Sequence, residues 1–303
     1  MYKQLKTAPF PLLNTAMTDL QLHETLPPLR KELDERKRNG QTIALVPTMG
    51  NLHAGHLALI AAARAEYDVV VATIFVNPMQ FGPTEDLARY PRTFASDTAA
   101  LRAAGCDYLY APAASEIYPA GSAVHTRISV PEVSLLHCGN SRPGHFDGVC
   151  TVVCKLFNMI QPDAAFFGLK DYQQFHLISI MVRDLYLPVR LHGVPTVRES
   201  SGLALSSRNG YLSAEQHQQA AALCAVLATT AAKIQHGARG FRQLEKEASD
   251  ILAAGNLQPD YFHICQRDTL QLAEQNDSEL IILAAVYAGS TRLIDNIFVL
   301  TAA

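Results

Sequence analysis

Two histidines three residues apart, His53 and His56, stand in the segment PTMGNLHAGH (47–56), directly after the apolar run TIALVPT and directly before the helical run LALIAAARAE. Imidazoles at this spacing can hydrogen-bond the oxygens of one phosphate. Gly50 and Gly55 remove side chains where such a group would approach the backbone, and free amides at a helix start favour anionic oxygen. A strand that turns into a helix is also where ligands bind in open α/β sheets. The chemistry expected is stabilisation of charge on a phosphorus centre passing through five-coordination. Two ordinary turn histidines would explain one of the pair, but poorly explain both when framed by glycines.

Four further segments carry polar groups. In FFGLKDYQQFHLI, Gly168, Lys170 and Asp171 fall at a second strand-to-helix turn, with Gln174 one turn beyond. Lysine supplies positive charge for phosphates, Asp171 can cap the helix or bind a ribose hydroxyl, and Gln174 can donate to a carboxylate or hydroxyl. The same residues are also ordinary helix-start and surface chemistry. In GLALSSRNGYLS, Ser206, Ser207 and Arg208 combine hydroxyls with a guanidinium, a set suited to a triphosphate tail and equally to a capped linker. A loop at that point in the chain could close over a bound nucleotide and keep water from a reactive anhydride. In FVNPMQFGPTEDLARYPRT, Asn77, Gln80 and Tyr90 offer neutral polar groups suited to a hydroxy acid. In SRPGHFDGV, Arg142 and His145 are candidate partners for anionic oxygen or plain loop residues.

These segments need a scaffold, and the period of the sequence supplies one. Near-continuous apolar runs at 42–48, 68–76, 106–112, 164–168 and 189–195 predict strands covered on both faces. They alternate with helical stretches at 57–66, 97–104, 147–160 and 171–185, the pattern of a parallel sheet with crossover helices. After SSRNGYLSAEQ, helices at about 213–235 and 241–254 precede PDYFHICQ, ELIILAAVYAG and TRLIDNIFVL, which predict a small antiparallel sheet. The fold expected is α/β: a Rossmann-like doubly wound parallel sheet (23–195) with a smaller C-terminal α+β domain (196–303) that forms a lid. Residues 1–22, with prolines and an internal Met17, predict an extension of no assigned function.

Bulk composition narrows the partners. Hydrophobic residues make up 49% of 303, enough for packed cores, and charged residues only 17%. With 25 Lys and Arg against 28 Asp and Glu, and no basic tract, nucleic acid is not an expected partner. The apolar runs are too short for a membrane span, which places the protein in the cytoplasm without a membrane partner. Six cysteines at 106, 138, 150, 154, 224 and 265 lack zinc-site spacing and read as reduced thiols.

In this order, PTMGNLHAGH, FVNPMQF with DLARYPRT, SRPGHFDGV, FFGLKDYQQ and GLALSSRNGYL closely resemble the pantoate–β-alanine ligase family. The resemblance runs from about Glu24 to LIDN at 293–296. It implies an ATP-dependent, AMP-forming acid–amine ligase of vitamin B5 biosynthesis, acting as a cytoplasmic homodimer with Mg2+. It also implies two steps: pantoate attacks the α-phosphorus of ATP, and β-alanine then displaces AMP from pantoyl adenylate. Matched motif by motif, Met49, Gly50, Asn51, Leu52, His53, Ala54, Gly55 and His56 would hold ATP. So would Gly168, Leu169, Lys170 and Asp171, together with Val197, Leu205, Ser206, Ser207 and Arg208. His56, His53 and Lys170 would be catalytic, His56 as proton donor. Gln80 would hold pantoate near β-alanine, Gln174 would bind pantoate, and Asp97 would lie in the magnesium neighbourhood.

The chain departs from the family pattern twice. Leu169 stands where a glutamate is usual, and His137-Cys138-Gly139 where Leu-Glu-Gly is usual. Each change removes a carboxylate next to a binding segment, so altered affinity or loop position is expected. Two other readings are a nucleotidyltransferase that keeps the nucleotide in its product, and a relative that binds without turnover. Gln80 and Gln174 and the lack of a basic acceptor cluster argue against the first, whereas the lost carboxylates keep the second open.

Overall fold

The computed structural model describes residues 19–301 except Thr84. In chain order the elements are β1 (Gln21–His23), α1 (Leu26–Arg38), β2 (Ile43–Thr48), α2 (Ala54–Glu66), β3 (Val69–Ile74), α3 (Phe94–Ala103), β4 (Tyr108–Tyr110) and two short helices, α4 (Ala114–Ile117) and α5 (Cys138–Ser141). They continue with α6 (His145–Ile160), β5 (Ala164–Gly168), α7 (Tyr172–Asp184), β6 (Arg190–Val194), α8 (Ala214–Ala220), α9 (Ala222–Gln235), α10 (Phe241–Ala254), β7 (Gln258–Gln266), β8 (Glu279–Ala288) and β9 (Thr291–Leu300). Two compact units result. One comprises the chain up to Val130 with Pro143–Leu169 and Gln174–Pro195. The other comprises Pro131–Arg142, Lys170–Gln173 and the chain from Thr196 on.

The first unit is a parallel six-stranded sheet ordered β1-β4-β3-β2-β5-β6. Its strands carry Val, Ile, Leu and Ala on both faces, and Ile43, Ala44, Leu45 and Val46 of β2 are all wholly buried. The chain leaves β2 toward β3 on one side and returns as β5 on the other, so the switch point lies between β2 and β5. Pro47 fits this place. It has no N–H to donate, and pairing between β2 and β5 covers only Ala44 and Leu45, upstream of it.

The second unit packs α9 and α10 on the antiparallel sheet β7-β8-β9. Leu223, Leu227, Ile234, Leu244, Leu252, Ile264, Ile282 and Val286 form its core. The bidentate pair of Arg198 with Asp295, at 2.6 and 2.9 Å, fixes the strand β9 to the segment after residue 196. Asp295 is almost wholly buried, so its charge requires that partner.

Three expectations need correction. The end of the presumed extension is structural: Leu20 joins the sheet core and Gln21–His23 pair with Tyr108–Tyr110, while residues 1–18 lie outside the described chain. Helix α1 was not anticipated, because LPPLRKELDERKR opens on two prolines, which are tolerated in a first turn where N–H groups have no intrahelical partner. The stretch expected as one helix over 213–235 is divided at Ala221, which nevertheless keeps helical dihedrals.

Within the second unit, His137 donates Nε2–H to the Leu270 carbonyl at 2.8 Å, which leaves its Nδ1 to accept from His263 Nδ1 at 2.9 Å. Burial, then the neighbouring His137 and Arg242, lowers His263 to about 4. Burial also lowers His137. The unfolded chain therefore takes up protons below about pH 6.5, whereas folded His263 refuses its proton until about pH 4 and His137 is shifted in the same direction. Stability is complete above this window and falls as the pH drops through it. Urea midpoints measured from pH 7.5 to 4.5 should decline for the parent protein and decline less for His263→Gln; equal slopes would discount the pair.

Candidate functional site

The turn after β2 is built by satisfying backbone donors with side chains. Gly50 N–H donates to Thr48 Oγ1 at 3.2 Å. Asn51 and Leu52 N–H donate to the two oxygens of Asp97 at 2.8 and 2.9 Å. His53 N–H donates to His56 Nδ1 at 3.3 Å, and Gly55 N–H donates to His53 Nδ1 at 3.1 Å. Gly50 and Asn51 both adopt positive φ, +82° and +50°, which gives Gly50 its purpose. The expectation of free amides along this turn is thereby corrected for Gly50, Asn51, Leu52, His53 and Gly55, whose donors are engaged within the chain.

This geometry sets the tautomer of both rings. A backbone N–H can only donate, so Nδ1 of each imidazole must be unprotonated and the neutral ring carries its hydrogen on Nε2. The rings lie 4.1 Å apart, centre to centre, and form a reciprocal capping box at the start of α2. What the turn presents to a phosphate is thus a pair of imidazole N–H donors held in place by the helix they cap.

Beside it, in the same unit, the turn 77–80 is pinned to α6. Asn77, 1% exposed, donates from Nδ2 to Gln80 Oε1 and to the Gly148 carbonyl, both at 3.1 Å, and accepts from Tyr118 OH at 2.8 Å. His145 donates Nδ1–H to the Gln80 carbonyl at 2.8 Å, so its neutral ring keeps a lone pair on Nε2. Gln80 Nε2 lies 3.1 Å from Met49 Sδ, which brings the second turn to the first. Tyr90 packs edge-on against Phe81. A Cβ at Gly148 would run into the Met79 carbonyl, so only glycine permits this approach.

Gly168 ends β5, next to β2 in the sheet. Gln173 and Gln174 then separate in role. Gln173 is buried, accepting from Cys138 N–H at 3.1 Å and donating to the Val133 and Leu136 carbonyls at 3.0 and 2.7 Å, whereas Gln174 is half-buried on the first turn of α7. Leu169 is buried against Gly193 of β6, which explains how an apolar side chain is accommodated there.

The second unit holds the remaining candidates. Lys170 is half-buried, 3.8 Å from Asp171, and its carbonyl accepts from Asn296 Nδ2 at 2.8 Å. Leu205 N–H donates to the Val197 carbonyl at 3.0 Å, which pairs two residues expected to contact ATP across a turn closed by Gly202. Arg208 N–H donates to Ser206 Oγ, and Asn209 bridges Glu199 and the Ala204 carbonyl. Ser207 and Arg208 are half-buried in this loop. Cys138 lies 3.0 Å from Tyr261 OH and 3.5 Å from the Arg292 guanidinium, whose charge is met by Asp260 at 2.7 Å. Arg292, beside Cys138, therefore has its charge met by a carboxylate on β7.

Sequence reasoning did not find Asn296, Arg198, Asp295 or Gly148 as supports of the site. Asp97 was read toward magnesium, yet both of its oxygens are turned to the 51–52 amides and to Thr93 Oγ1 at 3.1 Å. Among the described residues no group of three or more His, Cys, Asp or Glu forms a metal-binding cluster, and no helix is long and apolar enough to cross a membrane.

A doubly wound sheet with paired imidazole donors at its switch point defines a nucleotide-phosphate-binding α/β enzyme. The family model of pantoate-beta-alanine ligase matches residues 21–298. The pantothenate synthetase of Hahella chejuensis is 52% identical over 271 residues, covering 89% of this chain and 96% of that protein. That of Azotobacter vinelandii is 52% identical over 276 residues, covering 91% and 98%. The crystal structure of pantothenate synthetase from Thermus thermophilus superposes with a TM-score of 0.86 at 43% identity, covering 91% of this chain and 98% of that one. Pantoate-beta-alanine ligase from Francisella tularensis, complexed with beta-gamma ATP and beta-alanine, gives 0.76 at 32%, covering 92% and 97%. The chain belongs to the pantoate–β-alanine ligase family.

Two measurements check the site as built. Two-bond 1H–15N correlation spectra near neutral pH should place the ring hydrogen of both His53 and His56 on Nε2; an Nδ1–H signature for either would refute the capping geometry. Gly148→Ala should destabilise the protein by about 1–3 kcal/mol in urea unfolding, the usual cost of overpacking.

Proposed function

We propose that this chain joins pantoate to β-alanine at the expense of ATP, with His53 and His56 as donors to the reacting phosphate. The observation that carries the reading is the pair of Nε2–H groups fixed at the switch point by their own Nδ1 contacts. A pantoate carboxylate oxygen attacks the α-phosphorus and pyrophosphate departs, giving pantoyl adenylate. The amine of β-alanine then attacks the acyl carbon, loses its proton and expels AMP.

Charge grows on the α-phosphate oxygens during the first step, and fixed N–H donors aimed there stabilise it without reorganisation. Lys170 adds positive charge, and Ser206, Ser207 and Arg208 supply hydroxyl and guanidinium donors for the triphosphate. The family resemblance assigns ATP contacts to Met49–His56, Gly168–Asp171, Val197 and Leu205. Gln80 and Gln174 hold pantoate, and the contact of Gln80 with Asn77 and Met49 sets its amide before substrate arrives. Mg2+, which keeps several waters and favours phosphate oxygens, fits as an ion carried by the triphosphate and would neutralise the departing pyrophosphate. The family resemblance supports a homodimer working in the cytoplasm, and a C-terminal domain acting as a lid.

Incubation with Mg-ATP, pantoate and β-alanine should release AMP, pyrophosphate and pantothenate, with AMP dependent on both acids. AMP-free turnover, or none, would defeat the proposal. His56→Ala should lose roughly 10²–10⁴-fold in adenylate formation while keeping its fold by circular dichroism.

A further inference from the structure

Asp97 lies on the first turn of α3, 3% exposed. Each of its oxygens meets one amide of the turn, Asn51 at Oδ2 and Leu52 at Oδ1, and both lie 3.1 Å from Thr93 Oγ1, which as a single donor serves one of them at a time. A Cβ at Gly50 would come within 3.2 Å of Oδ2, so the left-handed glycine makes room for the carboxylate as well as for the turn. Successive amides in a turn, here with Gly50 and Asn51 at positive φ, form the kind of concavity that ordinarily receives an anion. Here the anion is part of the chain.

We infer that Asp97 is a positioning residue of the ligase reaction: its carboxylate occupies the anion-binding amides of Asn51 and Leu52, so that the phosphate of ATP is directed to the imidazoles of His53 and His56. This rests on the function proposed above. The argument is one of competition for donors. Were the two amides vacant, they would draw a phosphate oxygen upstream of the capping box, away from the two Nε2–H groups, and the reacting phosphorus would sit out of line. Misplacement by about 1 Å is enough to cost on the order of 10²-fold in rate. With both oxygens directed at amides and Thr93, the carboxylate acts through the turn.

The test compares parent, Asp97→Asn and Asp97→Ala proteins, each assayed at a temperature well below its own measured melting point. Asparagine keeps the shape but offers one acceptor oxygen and turns an NH2 toward an amide, so kcat/KM for ATP should fall by roughly 10²-fold while KM for β-alanine stays as in the parent. In Asp97→Ala, added formate should restore part of the activity by taking the vacant place, with no effect on the parent or on His56→Ala. In Asp97→Asn, the Nε2–H signals of His53 and His56 should shift, because the turn that leads into them is altered. Parent-like kinetics in Asp97→Asn would overturn the inference. So would an equal loss toward all three substrates without formate rescue, and so would recovery of Asp97→Asn on raising Mg2+, which would make the residue a metal ligand. Should the parent itself release no AMP, the proposed function fails first, and the spectra and melting of the variants still report on the turn.

Discussion

Backbone N–H groups that find no partner are expensive, and between Gly50 and Gly55 the chain resolves this by spending side chains on them. Much else follows from that constraint. Thr48 must end β2 with its hydroxyl available, Asp97 must be carried in by α3, and both histidines must turn Nδ1 inward. The outward face of each ring is decided by what its inward face does. Chemistry at the switch point is in this sense a by-product of capping a helix.

Support for the turn comes from elements distant in sequence. β2 and β5 bring the turn and Gly168 to neighbouring places in the sheet, and the early end of their pairing leaves room at the carboxyl ends. Asn77, His145 and Gly148 lock the 77–80 turn on α6, so Gln80 reaches Met49 without a loop having to be ordered by ligand. In the other unit, Asn296 and the Arg198–Asp295 pair do comparable work for Lys170 and for the segment leading to Ser206. The chain uses few ionic contacts for this and many contacts between side chains and main chain, which specify direction as well as distance.

The strands β2 to β6 were legible because burial on both faces writes a plain apolar run, and His53 and His56 because glycines and a helix start flank them. Helix α1 was hidden by its own prolines, and β1 by being three residues long. Gln173 and Gln174 are indistinguishable as letters; only the segment 133–138 packed on one of them assigns it to structure. The contacts of Asp97 were hidden for a related reason, since the amides that meet its two oxygens lie 45 and 46 residues away in the chain. Gly148 carries no signal at all in a helix rich in small residues, and its necessity appears only when the 77–80 turn is laid against it.

A histidine that caps its own helix has few rotamers left to explore. The torsional freedom that a surface imidazole would give up on meeting a phosphate was surrendered by His53 and His56 when α2 formed, together with the entropy of the turn. Ordering of the rings therefore belongs to folding, and in the reaction proposed a contact with ATP would not wait for them to settle.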